Sequence, residues 1–363
     1  MASAGYRIGI VGATGQVGKE FLRILGEGPR DGLPVGELRL FASERSAGTV
    51  VHALGRDWEV GLAAPDPDRF AGLDMVLTAI GDELALEYGP AIARSGAVNV
   101  DKSNAWRMHP DVPLVVPEVN PEAAAGHFGI IAGPNCSTTQ MVVALWPLHR
   151  ANPIRRVIVD TFQAVSGTGW RAVDELRDQA AAIARGDAIT PRVYPHQIAQ
   201  NVIAEIGGLR DGGDFSEELK MVDETRKIMG VPDLAIQATC VRVPVMVGHS
   251  EAIHVEFTRE MPPDEARAIL KQAPGIVVVD DPKAHAYPTP LDAAGRDPVY
   301  VGRIRRDASH PRGLSMWVVA DNVRKGAALN AVQTFELLAR RGWLHGNRGA
   351  RDPFATRAAA VAS

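Results

Sequence analysis

At 363 residues the chain is long enough for two domains and a core that needs no disulfides. It has 39 Lys and Arg against 43 Asp and Glu, a formal charge of -4 without long like-charge runs, which argues against a general nucleic-acid binder. Two cysteines make no secreted-type framework, Met1 to Arg7 lacks a signal-peptide core, and no apolar run reaches membrane-span length, so a cytoplasmic protein with no membrane partner is expected.

Tyr6 to Val11 is a short apolar run ending in Gly12-Ala13-Thr14-Gly15-Gln16-Val17-Gly18, and Lys19 to Leu25 reads as an amphipathic helix. The glycine spacing is GxxGxxG, not GxGxxG, so the order strand, glycine turn, helix carries the reading. Gly12 permits the tight turn, Gly15 lets a pyrophosphate approach the backbone, and Gly18 lets the helix pack close to the sheet. Gly12, Ala13, Thr14, Gly15, Gln16 and Val17 are therefore expected to bind a dinucleotide. Strands at 37–42, 74–80 and 97–101 and a helix at 82–94 continue the alternation of a Rossmann-type, doubly wound parallel sheet. The strand ending at Ala42 runs into Ser43-Glu44-Arg45-Ser46. There Arg45, with the hydroxyls of Ser43 and Ser46, suits a 2′-phosphate and favours NADP. Glu44, turned inward, would repel that phosphate and could hold a ribose instead.

Pro134-Asn135-Cys136 breaks a strand ahead of an apolar, helix-compatible run from Thr138 to Leu148, so Cys136 is placed at a helix N-terminus, where unpaired N–H groups favour a thiolate. A buried structural thiol is the other reading that this stretch leaves open. From about Ile154 the texture changes to longer strands, 155–164, 235–247 and 251–259, with helices between them, which predicts an α+β domain with a mixed or antiparallel sheet. Cys240 falls inside the second of these strands and reads as a core residue. A helix from Gly326 to Arg340 is long enough to return to the first domain. The expected division is thus 1–135, completed by a helix within 323–363, and 136–322. The Ala/Arg-rich tail after Arg351 is expected to fray.

Taken together, the Gly12 loop, Ser43 to Gly48, Trp106-Arg107-Met108, Val115 to Asn120, Pro134 to Thr138, Phe162 to Gly167, Glu218-Leu219-Lys220-Met221, Arg242-Val243-Pro244-Val245, Gly248 to Glu251 and Trp317 to Asn322 closely resemble aspartate-semialdehyde dehydrogenase, in the family's order across nearly the whole chain. The resemblance implies NADPH-dependent reduction of 4-phospho-L-aspartate to L-aspartate 4-semialdehyde, on the pathway to lysine, threonine and methionine, with phosphate a substrate in reverse. By that resemblance Cys136 is the nucleophile, His249 the acid/base, and Gln163 the residue that orients the intermediate. Arg242 matches the holder of the substrate carboxylate, Glu218 the receiver of its ammonium, Arg107 and Lys220 the phosphate pair, and Asn135 a further substrate contact. Ser166, Gly167 and Asn322 match cofactor-binding positions. No metal is implied, and a homodimer through the second domain, sometimes paired into a tetramer, is. Two positions depart from the family pattern: Lys102-Ser103-Asn104 stands where many relatives have Asn-Ser-Ser, and Gly133 where the residue before the proline is commonly Asn. The competing readings are N-acetyl-γ-glutamyl-phosphate reductase, whose acylated nitrogen would gain nothing from a carboxylate, and a non-catalytic NADP-binding regulator, which would have no use for a nucleophile.

Overall fold

The computed structural model describes residues 5–27, 33–346 and 353–354. The tail expected to fray lies, apart from residues 353–354, outside the described residues. In chain order the elements are β1 (Tyr6–Val11), α1 (Gln16–Gly26), β2 (Val35–Ala42), β3 (Val50–Ala53), β4 (Arg56–Leu62), the single turn α2 (Pro67–Phe70), β5 (Met75–Thr78), α3 (Asp82–Arg94), β6 (Val98–Asp101) and β7 (Ile130–Ala132). There follow α4 (Cys136–Ala151), β8 (Ile154–Gln163), α5 (Trp170–Arg185), α6 (Ser216–Met229), β9 (Ala235–Arg242), β10 (His249–Phe257), α7 (Pro263–Gln272), β11 (Ile276–Val278), α8 (Pro290–Ala293), β12 (Val299–Arg306), β13 (Gly313–Ala320) and α9 (Leu329–Arg341). They form two compact units, Met1–Pro134 with Ala327–Ser363, and Asn135–Gly326.

The first unit is built on a sheet in the order β3-β4-β2-β1-β5-β6-β7. All its pairings are parallel except that of β3 with β4. Alternate residues of its strands face opposite layers. Ile8, Ile10, Leu38 and Leu40 join a core with α1 and α9, where Phe21 meets Phe335 edge to face at 5.8 Å. Val11, Phe41 and Val76 pack on the other side with Phe70, Tyr88 and Ile92 of α2 and α3. That is the doubly wound layering that the sequence predicts, with one addition. The β3–β4 hairpin turns through Leu54 and Gly55 at φ 51° and 74°, a primed turn whose first position is a leucine, so the usual Asn-Gly or Asp-Gly signal is missing. Helix α1 starts at Gln16 and not at Lys19, because Gly15 in extended conformation serves as its N-cap.

The second unit carries a six-stranded mixed sheet, β11-β12-β13-β10-β8-β9. Central β10 runs antiparallel to β8 and β13, and the outer pairs β8–β9 and β11–β12 are parallel. On β10 the odd positions His249, Glu251, Ile253, Val255 and Phe257 form one buried face. Helix α4, buried from Ser137 through Leu145 and at Leu148, is the apolar centre of this unit, which is why it is hydrophobic on nearly all sides. The strand expected to reach Val247 ends at Arg242: Pro244 offers no donor, and Val245 N–H turns back onto the Val243 carbonyl at 2.8 Å. The terminal helix is preceded by one wide turn over Arg324–Ala328 of the π type.

Candidate active site

Asn135 determines how α4 begins. Its Oδ1 accepts from the backbone N–H of Ser137 (2.9 Å) and Thr138 (3.2 Å), so the helix starts at Cys136 with its dipole directed at that residue. Cys136 is partly exposed, and its Sγ lies 3.2 Å from Nε2 of His249. His249 is itself fully buried. The backbone N–H of Ala164 donates to Nδ1 of His249 at 3.0 Å, which leaves the neutral ring's single proton on Nε2, facing the sulfur. Burial first, and then the nearby Arg242 cation, push the His249 pKa well below the ordinary histidine value, so the ring is held neutral. Two further residues fix its approach. Asn322 Oδ1 accepts both Gly248 N–H and Ser166 Oγ–H at 3.0 Å, and Gly248 adopts φ 99° just before the histidine. The Ser166 and Asn322 side chains thus spend their described contacts on each other and on the turn that delivers His249. Gly167 is close by: a Cβ there would lie 2.8 Å from Arg242 Nη1 and 3.2 Å from the His249 ring.

The charged part of the site requires a correction. Glu218 does not join it: its carboxylate accepts Phe215 N–H at 2.6 Å and Cys240 N–H at 3.0 Å, the third-position cap of its own helix plus a brace on β9. The neighbouring Glu217 does. Almost wholly buried, it accepts from Asn135 Nδ2 at 2.7 Å and Gln163 Nε2 at 3.2 Å, and pairs with Lys220 Nζ at 3.2 Å. Burial alone would raise its pKa, but the Lys220 charge, the Asn135 hydrogen bond, Arg242 and Gln163 together hold it below the usual carboxylate range. It is a fixed anion. Glu217 and Lys220 are three residues apart and share one face of α6, whereas Glu218 is turned about 100° away. That spacing and the cap position of Glu218 were the signals in the sequence. Asn135, expected to touch substrate, gives its oxygen to the helix and an amide hydrogen to Glu217, and its backbone N–H to Glu224 at 2.6 Å.

Arg242, at the end of β9, is buried. Its Nη1 donates to the Ala164 carbonyl at 2.8 Å and sits 3.5 Å from Gln163 Oε1. Its Nε has no partner among the described residues, a buried orphan donor of the kind that an anionic ligand satisfies. Gly326 is a further residue that sequence reasoning missed. A Cβ there would come within 2.7 Å of Cys136 Cβ and 3.0 Å of its Cα, so the wide turn at 324–328 closes on the nucleophile only because the residue is glycine. By contrast Cys240 is buried in β9, and burial pushes its thiol pKa up, so it stays an inert core residue.

In the first unit the glycine loop has the stereochemistry a dinucleotide phosphate asks for. Gly12 has φ 89° and its Cβ would strike the Ala79 carbonyl oxygen at 2.5 Å, while a Cβ on Gly18 would lie 2.4 Å from the Gly12 oxygen. The first turn of α1 carries no acidic residue, and its cap Gly15 offers no side-chain acceptor, so nothing there opposes an anion. Thr14 Oγ1 donates to Ser46 Oγ at 3.3 Å, drawing the loop after β2 to the glycine loop, and Arg45 beside it is exposed. These residues fit NADP. Arg107, expected at the phosphate, is buried, with Nε donating to the Gly133 carbonyl (3.1 Å) and Nη2 to the Lys102 carbonyl (3.0 Å). Among the described residues no helix is long and apolar enough to cross a membrane.

Comparison with known proteins adds the following. The semialdehyde dehydrogenase NAD-binding domain family matches residues 7–127, and the semialdehyde dehydrogenase dimerisation domain family residues 145–325. The aspartate-semialdehyde dehydrogenase of Aquifex aeolicus is 50% identical over 341 residues, covering 93% of this chain and 99% of that protein. That of Synechocystis is 46% identical over 338 residues, covering 93% and 98%. Among solved structures, aspartate semialdehyde dehydrogenase II of Vibrio cholerae complexed with ASA superposes with a TM-score of 0.88 at 43% identity, covering 93% of this chain and 99% of that one. The Candida albicans enzyme with NADP gives 0.72 at 26% identity, covering 93% and 99%.

Proposed function

The chain belongs to the aspartate-semialdehyde dehydrogenase family, and we propose that it reduces 4-phospho-L-aspartate to L-aspartate 4-semialdehyde with NADPH, the aldehyde, phosphate and NADP being the substrates in reverse. The observation that carries this reading is a site within one unit that joins a nucleophile, Cys136 with His249 at 3.2 Å, to buried groups of opposite charge, Glu217 and Arg242. An amino acid with a free ammonium and an α-carboxylate is the ligand such a pair selects.

The chemistry follows from these positions. The start of α4 and the Nε2–H of His249 stabilise the Cys136 thiolate, which attacks the acyl carbon and expels phosphate to leave a thioester. NADPH, when bound, supplies the hydride that reduces this thioester. The resulting tetrahedral alkoxide on Cys136 then expels the thiolate as the aldehyde departs, and the one proton the overall reaction consumes goes to phosphate. His249 therefore need not exchange a proton: its Nε2–H, held in place by Ala164, stabilises negative charge first on sulfur and then on oxygen. That differs from the acid/base role the sequence suggested. Gln163 positions Glu217, and the planar fork of Arg242 meets the carboxylate. Asn135 acts as a positioning residue through its bonds to α4 and Glu217.

The matched dimerisation domain supports a homodimer formed through the second unit, with paired dimers as the further assembly that light scattering would reveal. A reducing cytoplasm suits an enzyme that depends on a free thiol. The discriminating experiment follows NADPH formation at 340 nm with phosphate and NADP. Turnover with L-aspartate semialdehyde and little with N-acetyl-glutamate semialdehyde is the expected result. The reverse preference would make the chain an N-acetyl-γ-glutamyl-phosphate reductase, and no turnover with either would make it a binding protein.

A further inference from the structure

The catalytic groups of the second unit adjoin a second polar row that the reaction above does not use. On one face of the mixed sheet, Thr161 of β8 pairs with Cys240 of β9 on one side and with Glu251 of β10 on the other. Two residues away along the same strands, and therefore on the same face, stand Gln163, Arg242 and His249. Gln163 Nε2 donates to Thr161 Oγ1 at 3.3 Å and joins the two rows. Helix α4 packs on β8 and β10. Cys136 and Gln140 are four residues apart on one side of that helix, and Gln140 Nε2 donates to the His249 carbonyl at 3.4 Å. Glu251 is fully buried and borders the Gln140 carboxamide, yet neither of its oxygens has a hydrogen-bond partner among the described residues. Gln140 Oε1 is in the same condition. Around the carboxyl, β9 presents Cys240, with Glu217 and Glu218 of α6 close to that thiol, and β13 presents Val318. The cation of the adjoining row, Arg242, directs its described contacts to Ala164 and Gln163. Three buried acceptor oxygens on two adjoining side chains thus lack a donor, and one proton on the carboxyl supplies it. Burial also holds the Glu251 pKa well above the ordinary carboxylate value, against the opposing Gln140 amide.

We propose that Glu251 is a positioning residue of the active site: as a neutral acid it donates to Gln140 Oε1 and ties β10 to α4 between His249 and Cys136, which keeps the ring at hydrogen-bonding distance from the sulfur. The inference rests on Cys136 being the nucleophile of the proposed reaction. It gives the run Gly248-His249-Ser250-Glu251 a second working residue, two places after the histidine and on the same buried face of β10.

The test compares, in the full-length enzyme, Glu251→Gln, a neutral isostere that still donates to Gln140, with Glu251→Leu, which fills the space and donates nothing. The readouts are the pH dependence of Cys136 alkylation by iodoacetamide, located by mass spectrometry, and steady-state kinetics with semialdehyde and phosphate varied independently. Glu251→Leu is expected to move the alkylation midpoint up by about one pH unit and to lower kcat by about tenfold, with the phosphate KM nearly unchanged. Glu251→Gln should keep the wild-type midpoint and a kcat within about threefold. Gln140→Leu should reproduce the shift, and combining it with Glu251→Leu should bring no further loss. Infrared difference spectra of wild type against Glu251→Gln at neutral pH should contain the carbonyl stretch of a protonated carboxylic acid. A wild-type alkylation profile in Glu251→Leu, a Glu251→Gln enzyme as impaired as Glu251→Leu, additive effects in the double variant, or a carboxylate band in place of the acid band would each overturn the proposal. A merely structural role would lower the melting temperature of Glu251→Leu and leave the thiol profile where it is. Where Glu251→Leu does not fold, Gln140→Leu and the infrared band decide. Alkylation needs no substrate, so a wild-type protein without turnover would remove the functional reading while the thiol profile still decides this one.

Discussion

Replacing Glu217 by Gln and Glu218 by Ala separates two adjacent carboxylates that the sequence does not rank by charge alone. In Glu217→Gln the amide oxygen can still accept from Asn135 and Gln163, but the negative charge that pairs with Lys220 at 3.2 Å is gone, and with it the counter-charge for a substrate ammonium. Removing one partner of a desolvated charge pair costs about 2–5 kcal/mol. Taking about 3 kcal/mol, and about 1.4 kcal/mol per decade, kcat/KM for the semialdehyde should fall by about 150-fold. Glu218→Ala removes the acceptor of the Phe215 and Cys240 N–H groups, a capping loss of about 1 kcal/mol. In a unit of this size that is a fall of about 2–4 °C in melting temperature. Its kcat/KM should stay within about threefold of wild type, because its carboxylate is engaged by the Phe215 and Cys240 N–H groups. Steady-state kinetics with semialdehyde varied at saturating phosphate and NADP, together with calorimetric melting, decides the matter. If Glu218→Ala lost substrate affinity while Glu217→Gln kept it, the assignment made from the hydrogen bonds would be wrong.

Cys136→Ser should lower turnover by about a thousandfold or more while leaving NADP affinity nearly intact, since a hydroxyl at that position is not ionised, and activity within about tenfold of wild type would refute its role as nucleophile. Arg45→Ala should weaken NADP binding by about tenfold or more and NAD by less than about twofold, because only the 2′-phosphate uses the guanidinium; fluorescence titration with both cofactors checks this. Gly326→Ala brings a Cβ to 2.7 Å from Cys136 Cβ, so one backbone must yield by about 1 Å, and kcat should fall by about a hundredfold with slower alkylation of Cys136 by iodoacetamide. Because burial and Arg242 lower the folded-state pKa of His249, the unfolded chain takes up a proton there as pH falls below about 6.5 before the folded chain does, so stability drops by up to about 1.4 kcal/mol per pH unit in that window. His249→Gln should lack that contribution in denaturant unfolding from pH 7.5 to pH 5, and equal slopes in the two proteins would show that the folded ring takes up its proton over the same pH range as the unfolded chain.

The sequence by itself determined the parts that depend on local rules. Gly12, Gly15 and Gly18 followed by an amphipathic run specify a strand–turn–helix, because only glycine tolerates the backbone approaches at 12 and 18. Pro134 and Asn135 likewise specify where a helix begins and therefore where Cys136 sits. The choice between Glu217 and Glu218 was also legible, since cap position and three-residue spacing are local quantities, but it needed the helix start to be located to the residue. Only the tertiary structure decided what depends on neighbours distant in the chain. The proton of His249 resides on Nε2 because Ala164, 85 residues earlier, donates to the other nitrogen, and Cys136 tolerates the 324–328 turn because Gly326 has no side chain. The same holds for Lys102 and Gly133, two departures that look independent along the chain and prove to share one volume once β6 and β7 lie side by side. Periodicity and propensity act over a few residues, whereas a tautomer, a contact distance or the room for one side chain is fixed by packing across strands, which a single sequence does not record.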